Sequence, residues 1–212
     1  MKRSEKAFIL SLLLIPSSTI FVSWGIIHYL DAPSYKEKYR TIMSDISNIE
    51  NSTLLRDIYF SEKWSYEELV YWENERLTFV SASVKFNRTN DQFKILENGI
   101  GRCGEFAIVY AALCFAHGYD CKIVTASVNG DHAWNEVKIN GTWVHVNPSP
   151  TSRIDEPSSY IKKCYIRVLA FDKDGGVENL TIKYNPRLFH VFWLLFLGLT
   201  FSIFTYFMGV DR

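Results

Sequence analysis

The chain has 212 residues, with 23 Lys and Arg against 23 Asp and Glu, and so a formal net charge of zero. That length supports one domain with a real core and some extra segments. The charge balance argues against a grip on nucleic acid, which needs an excess of cationic side chains to neutralise phosphates.

Taken in chain order, residues 7–30 come first and read AFILSLLLIPSSTIFVSWGIIHYL, with no Asp, Glu, Lys or Arg. About 20 apolar residues cross a bilayer as a helix, so this run is long enough to be a membrane span. Pro16 would kink it, which membrane helices tolerate. The run is longer than the core of a signal peptide and has no clean small-x-small cleavage site. Residues 34–76 are polar with scattered apolar positions. Ile42, Ile46, Ile49, Leu54, Leu55 and Ile58 recur at near-helical spacing, which predicts two or three amphipathic helices. Ser65 ahead of YEELVYW reads as a loop followed by a capped helix. RLTFVSASVKF is ambiguous between a helix end and a strand. NDQFKILENGIG reads as a short helix stopping at Asn98 and Gly99.

The next stretch, GRCGEFAIVYAALCFAHGYD, sets a cysteine between a glycine pair at the mouth of a helix running from about Cys103 to His117. Phe106, Ala107, Val109, Tyr110, Leu113 and Cys114 make one broad apolar face, and Gly118 is a natural stop. Cys103 falls in the first turn, where unpaired backbone N–H groups and the positive end of the helix favour a thiolate. The hydrophobic period then changes from 3.6 to 2. DCKIVTASV is a strand, NGDHA a turn, WNEVKI a strand, Asn140-Gly141 a hairpin turn, and TWVHV a third strand. YIRVLAF, a DKDGG turn and VENLTIKY are expected to form a further hairpin. Helices followed by an antiparallel meander predict an α+β domain with a central helix packed on the sheet. A second uncharged run, 188–210, ends the chain, with Trp193, Tyr206, Arg187 and Arg212 as interface anchors.

The expected organisation is a transmembrane helix over 7–30, a soluble domain over 31–187 with its core at 91–184, and a transmembrane helix over 188–210. Both termini then lie on one side of the membrane. Lys2, Arg3 and Lys6 favour a cytoplasmic N-terminus. Four N-x-S/T sequons, at Asn51, Asn87, Asn140 and Asn179, fit a domain on the extracytoplasmic side. Membrane lipid is an expected partner through the two helices, and membrane proteins are candidate partners.

Three polar residues stand at element boundaries: Cys103 at the helix start, His132 near the start of a strand, and Asn147 at the end of the next. The Asn140-Gly141 hairpin brings the last two near register. A thiol nucleophile needs a base, and the base needs a third group to hold its tautomer.

The motifs ILENGIGRCGEFA, HGYDCKIVTA, DHAWNEVKINGTWVHVNPS and YIRVLAFDKDGGVENLTIKY resemble the transglutaminase-like superfamily of papain-like cysteine enzymes. GRCGE is especially similar to the segment in peptide N-glycanases of that superfamily. The resemblance implies a papain/transglutaminase-like core. It also implies Cys103 as nucleophile, His132 as base and Asn147 as the orienting residue, acting on peptide or glycopeptide amides through a thioester. The oxyanion donors would be the Cys103 backbone N–H and an upstream side chain, for which Trp64 or Trp72 is a candidate. Trp134 and Trp143 are expected as core and cleft-wall residues, and His145 as structural. Asn147 departs from the family's usual Asp, and that departure keeps a non-catalytic binding or assembly module as the alternative. No cofactor and no metal is expected: the chain lacks a C-x-x-C pair and the acidic clusters of calcium sites. Cys121 and Cys164 either pair as a disulfide or stand as separate thiols.

Overall fold

The computed structural model describes residues 32–60, 62–127, 131–149, 153–154 and 167–186, together with Leu194, Leu197, Gly198 and Thr200. Contacts divide the chain into one unit of Lys36–Asn185 and another of Met1–Tyr35 with Pro186–Arg212. The two candidate membrane spans belong to the second unit, and almost all their residues lie outside the described set. Among the described residues no helix is long and apolar enough to cross a membrane.

The helical layer opens with α1, Ala32–Ile46. It buries Tyr39, Ile42, Met43 and Ile46, one face at i, i+3, i+4 and i+7. The chain breaks after α1 and restarts at Asn48, whose side chain accepts from the Glu50 N–H at 2.8 Å. That new cap shifts the phase of the pattern. The following helix, α2 at Ile49–Tyr59, buries Leu55 but leaves Ile49, Leu54 and Ile58 exposed. The segment is thus split into separate helices, as the spacing over 42–58 predicted, with the exposed Ile49, Leu54 and Ile58 outside the buried face. Helix α3, Tyr66–Arg76, starts on a reciprocal cap: Glu68 N–H donates to Ser65 Oγ at 3.3 Å, and Ser65 N–H donates to Glu68 Oε2 at 2.7 Å. The ambiguous segment resolves into β1, Thr78–Phe79, and α4 follows at Gln92–Asn98. Gly99 ends α4 with φ 65°, a left-handed residue that glycine adopts without Cβ penalty. Strand β2, Ile100–Gly101, runs parallel to β1 and delivers the chain to the central helix α5, Cys103–Ala116.

Every residue of α5 from Phe106 to Leu113 is buried, and so is Cys114. One broad apolar face and a central, well-buried position were expected, and the helix is covered all round. Strands β3 and β4 pack on one side and α2, α3 and α4 on the others, so its apolar residues continue beyond a single stripe.

The sheet has the order β6-β5-β4-β3-β7-β8, with antiparallel neighbours throughout. Its strands are β3 Cys121–Ser127, β4 Asp131–Ile139, β5 Thr142–Asn147, β6 Arg153–Ile154, β7 Arg167–Phe171 and β8 Val177–Asn179. Asn140 and Gly141 both have positive φ, 50° and 83°, which is the tight hairpin turn whose twist matches the strands. Two boundaries differ from expectation. Strand β4 begins at Asp131, so His132 and Ala133 belong to the strand and not to a turn. The segment 177–184 leaves the sheet after Asn179. There Asn179 Oδ1 accepts from Thr181 N–H at 2.9 Å and starts the helical turn α6, Thr181–Tyr184. That turn places Leu180 and Tyr184 in the core with Val124, Ala126, Trp134, Val168 and Ala170.

Candidate active site

The start of α5 is built by the residues around the thiol. Glu105 is buried, and its Oε2 accepts from the Arg102 backbone N–H at 3.1 Å. This satisfies one of the open donors at the helix mouth. The Glu105 carboxylate is also gripped by Arg88, with Nε 2.6 Å from Oε1 and Nη2 3.1 Å from Oε2. Both glycines flanking Cys103 make room for this pair. A Cβ on Gly101 would lie 2.9 Å from Glu105 Cβ, and one on Gly104 would lie 3.3 Å from Arg88 Nη2. Arg102 turns its guanidinium away, onto the carbonyls of Ala82 and Val84 at 3.2 and 2.7 Å. The G-R-C-G-E string thus closes as one local unit: two gaps, an acid that fills one of them and caps the helix, and a thiol between them.

Cys103 is half-buried at the first position of α5. Its sulfur is met by the backbone N–H groups of Ala133 and Gly104. The first of these ties the thiol to β4 at the residue next to His132. Burial pushes the Cys103 thiol up; the two N–H groups and Arg88 pull it down, and Glu105 pushes it up. The net direction is upward.

The opposite side of β4 carries His132, Trp134 and Glu136 by strand alternation. Strand β5 pairs Glu136 with His145 and Asn135 with Val146. That ladder ends at the Asn135–Val146 pair, and Asn147, two residues on from His145, shares its face of the sheet. His132 and Asn147 therefore stand on one face. Asn147 is buried, and its Oδ1 accepts from Ser149 Oγ at 2.8 Å.

Under this pair lies a buried polar floor. Tyr184 Oη donates to Glu136 Oε1 at 2.7 Å and accepts from Trp134 Nε1 at 3.3 Å. His145 Nδ1 lies 3.1 Å from the same oxygen. The single hydroxyl proton goes to Glu136, so Nδ1 of His145 is the donor to Tyr184. Burial holds His145 neutral, with its pKa brought down to about 3. Lys183 Nζ completes the set at 2.6 Å from Glu136 Oε1. The Trp134 ring lies 5.6 Å from the rings of both His132 and His145.

Cys103 thus meets β4 at the residue next to His132, and Asn147 ends the neighbouring strand β5. Trp134 is fully buried beside His132 and offers a substrate no exposed surface. Trp64 is placed elsewhere. Its backbone N–H donates to His117 Nδ1 at 3.1 Å, at the far end of α5, about 20 Å from Cys103. Trp64 is therefore not an oxyanion donor. Trp72 is buried against Phe60 and under the Arg76 guanidinium. Two contributors escaped the sequence pattern. Arg88 sits in an irregular segment with no periodicity to flag it. Tyr184 looks like one more alternating residue of a strand. Among the described residues no group of His, Cys, Asp and Glu could hold a metal ion. Cys114 and Cys121 are buried thiols, and Cys164 lies outside the described residues.

The family model of the transglutaminase-like superfamily matches residues 57–148, a segment that contains Cys103, His132 and Asn147. This segment belongs to that superfamily. Among curated proteins, the transglutaminase-like domain is similar to peptide-N(4)-(N-acetyl-beta-glucosaminyl)asparagine amidases. The relative from Oryza sativa subsp. japonica is 35% identical over 50% of this chain and 24% of its own length. The relative from Drosophila melanogaster is 37% identical over 48% of this chain and 16% of its own. The chain thus spans a quarter or less of these relatives. Among solved structures, a candidate cysteine protease from Cytophaga hutchinsonii superposes with a TM-score of 0.38 at 19% identity, covering 48% of this chain and 37% of that one. The α+β core with a central helix on an antiparallel sheet is that of the transglutaminase-like, papain-like enzymes.

Proposed function

We propose that this protein is a cysteine hydrolase that cleaves amide bonds of peptides or glycopeptides, with Cys103 as nucleophile, His132 as base and acid, and Asn147 orienting His132. The observation that carries the reading is the docking of the Cys103 sulfur on the Ala133 N–H, next to His132. It is supported by the similarity to peptide-N(4)-(N-acetyl-beta-glucosaminyl)asparagine amidases over about half of this chain. In the first step His132 takes the thiol proton, the sulfur bonds to the amide carbon, and the leaving amine departs with that proton. Water, deprotonated by His132, then breaks the thioester and restores the thiol. The Cys103 backbone N–H, at the first helical position, is one donor to the developing oxyanion. An amine in place of water would give transfer instead of hydrolysis.

A second reading is a binding or assembly module without turnover. The burial that raises the Cys103 thiol and the neutral Asn147 in place of an acid favour it. One experiment separates the two. The purified full chain is incubated with a denatured N-glycoprotein and with its glycopeptides, beside Cys103→Ala. Conversion of glycosylated Asn to Asp that needs Cys103 establishes the amidase. Cleavage at backbone amides that needs Cys103 establishes a protease. Binding without either product establishes the module.

The two uncharged runs, 7–30 and 188–210, support anchoring of the domain in a membrane, with the domain on the extracytoplasmic side. Asn87, Asn140 and Asn179 are exposed, so a domain on that side of a glycosylating membrane should carry glycans there. A mobility shift on endoglycosidase treatment, lost when these asparagines become Gln, checks this. An unglycosylated domain digested by protease from the cytosolic side contradicts it.

A further inference from the structure

The thiol and its helix stand beside a buried acid. Glu105 lies two residues from Cys103 with its side chain 3 % exposed, while the Arg88 side chain that pairs with it is 54 % exposed. The carboxylate works against a thiolate on Cys103, and the guanidinium works for it. Arg88 reaches the pair from the irregular stretch between β1 and α4, across Gly104, where a Cβ would lie 3.3 Å from Nη2. A carboxylate at the third helical position is ordinarily favourable. Here it adds a negative charge where the proposed chemistry needs a thiolate.

We propose that Arg88 is a positioning residue for the nucleophile: paired with Glu105 across Gly104, it cancels the field of that buried carboxylate at Cys103 and fixes the helix start on which the thiol stands. This rests on the reading of Cys103 as the nucleophile. The two roles separate by chemistry. A lysine keeps the charge and loses the two-toothed grip. A glutamine keeps a donor to Glu105 and loses the charge.

The test is the pH midpoint of Cys103 alkylation by iodoacetamide in the full chain, read site by site by mass spectrometry, with thermal melting as a check that each variant is folded. An opposite charge a few ångströms away moves a pKa by roughly one unit or more. Arg88→Gln should therefore raise the midpoint by about one unit and slow labelling about tenfold at a pH below both midpoints. Arg88→Lys should stay near the wild-type midpoint, and Arg88→Gln with Glu105→Gln should return to it. An unchanged midpoint in Arg88→Gln would overturn the proposal, as would a double variant as shifted as the single one. Repeating the Arg88→Gln comparison in a His132→Ala background keeps the two claims apart. Loss of the His132 effect sinks the triad reading, whereas the Arg88 shift is read in either background.

Discussion

At the scale of single residues, the two glycines around Cys103 are there for close approach and not for an unusual φ. Gly101→Ala would press a methyl group to 2.9 Å from Glu105 Cβ. It should destabilise the fold by about 1–3 kcal/mol and slow Cys103 labelling, read by melting and by alkylation. His145 makes a pH prediction. Its pKa is depressed from 6.5 to about 3 in the folded chain. Between those values the unfolded chain binds the proton and the folded chain does not. Stability from this group is therefore complete above about pH 6.5 and is lost as pH falls towards 3, at up to about 1.4 kcal/mol per unit. His145→Phe should show a shallower loss of melting temperature between about pH 6.5 and 4. Equal slopes in the two proteins would contradict the neutral, Tyr184-bonded imidazole.

At the scale of elements, the helix caps carry much of the local specification. Ser65→Ala should cost about 1 kcal/mol, because it removes one half of a reciprocal cap; chemical denaturation measures it. Such local signals are why so many elements were legible in the sequence. Ser65, Gly99, Gly118 and the Asn140-Gly141 turn each act within a few residues, and each was read correctly. Where partners are distant, the pattern fails. Separate helices were expected over 42–58, but nothing in spacing alone marks Asn48 as the cap that divides them or Ile49, Leu54 and Ile58 as exposed. The segment 177–184 alternates like a strand, yet Leu180 and Tyr184 are drawn under the sheet by the core around Trp134. Helix α5 was expected to be central and well buried, but which elements cover its second side, the helices α2 to α4, is set by tertiary packing.

At the scale of the whole molecule, the helical layer and the sheet enclose an acid on α3. Glu73 is fully buried, and burial pushes its carboxyl well above the ordinary 4.5. Unfolded, it ionises above that value; folded, it keeps its proton. Stability should then fall by about 1.4 kcal/mol per unit as pH rises from there towards the folded pKa. Glu73→Gln should match wild type near about pH 4 and exceed it near about pH 7. A variant less stable at both values contradicts this. The site was legible to the extent that its chemistry is written in motifs. Cys103, His132 and Asn147 stand out because thiol, imidazole and amide fall at element ends. Arg88 and Tyr184 did not stand out, because salt bridges and buried hydrogen bonds between segments leave no period.

The most direct test of the central claim is the pH dependence of Cys103 alkylation in the wild-type chain and in His132→Ala. Burial alone pushes this thiol up, so a low midpoint has to come from a neighbouring imidazole that takes the proton. The account predicts a wild-type midpoint below that of an ordinary thiol, about 8.5, and a His132→Ala midpoint above it. One midpoint shared by both proteins, or labelling of Cys103 no faster than that of Cys114 and Cys121, would contradict it.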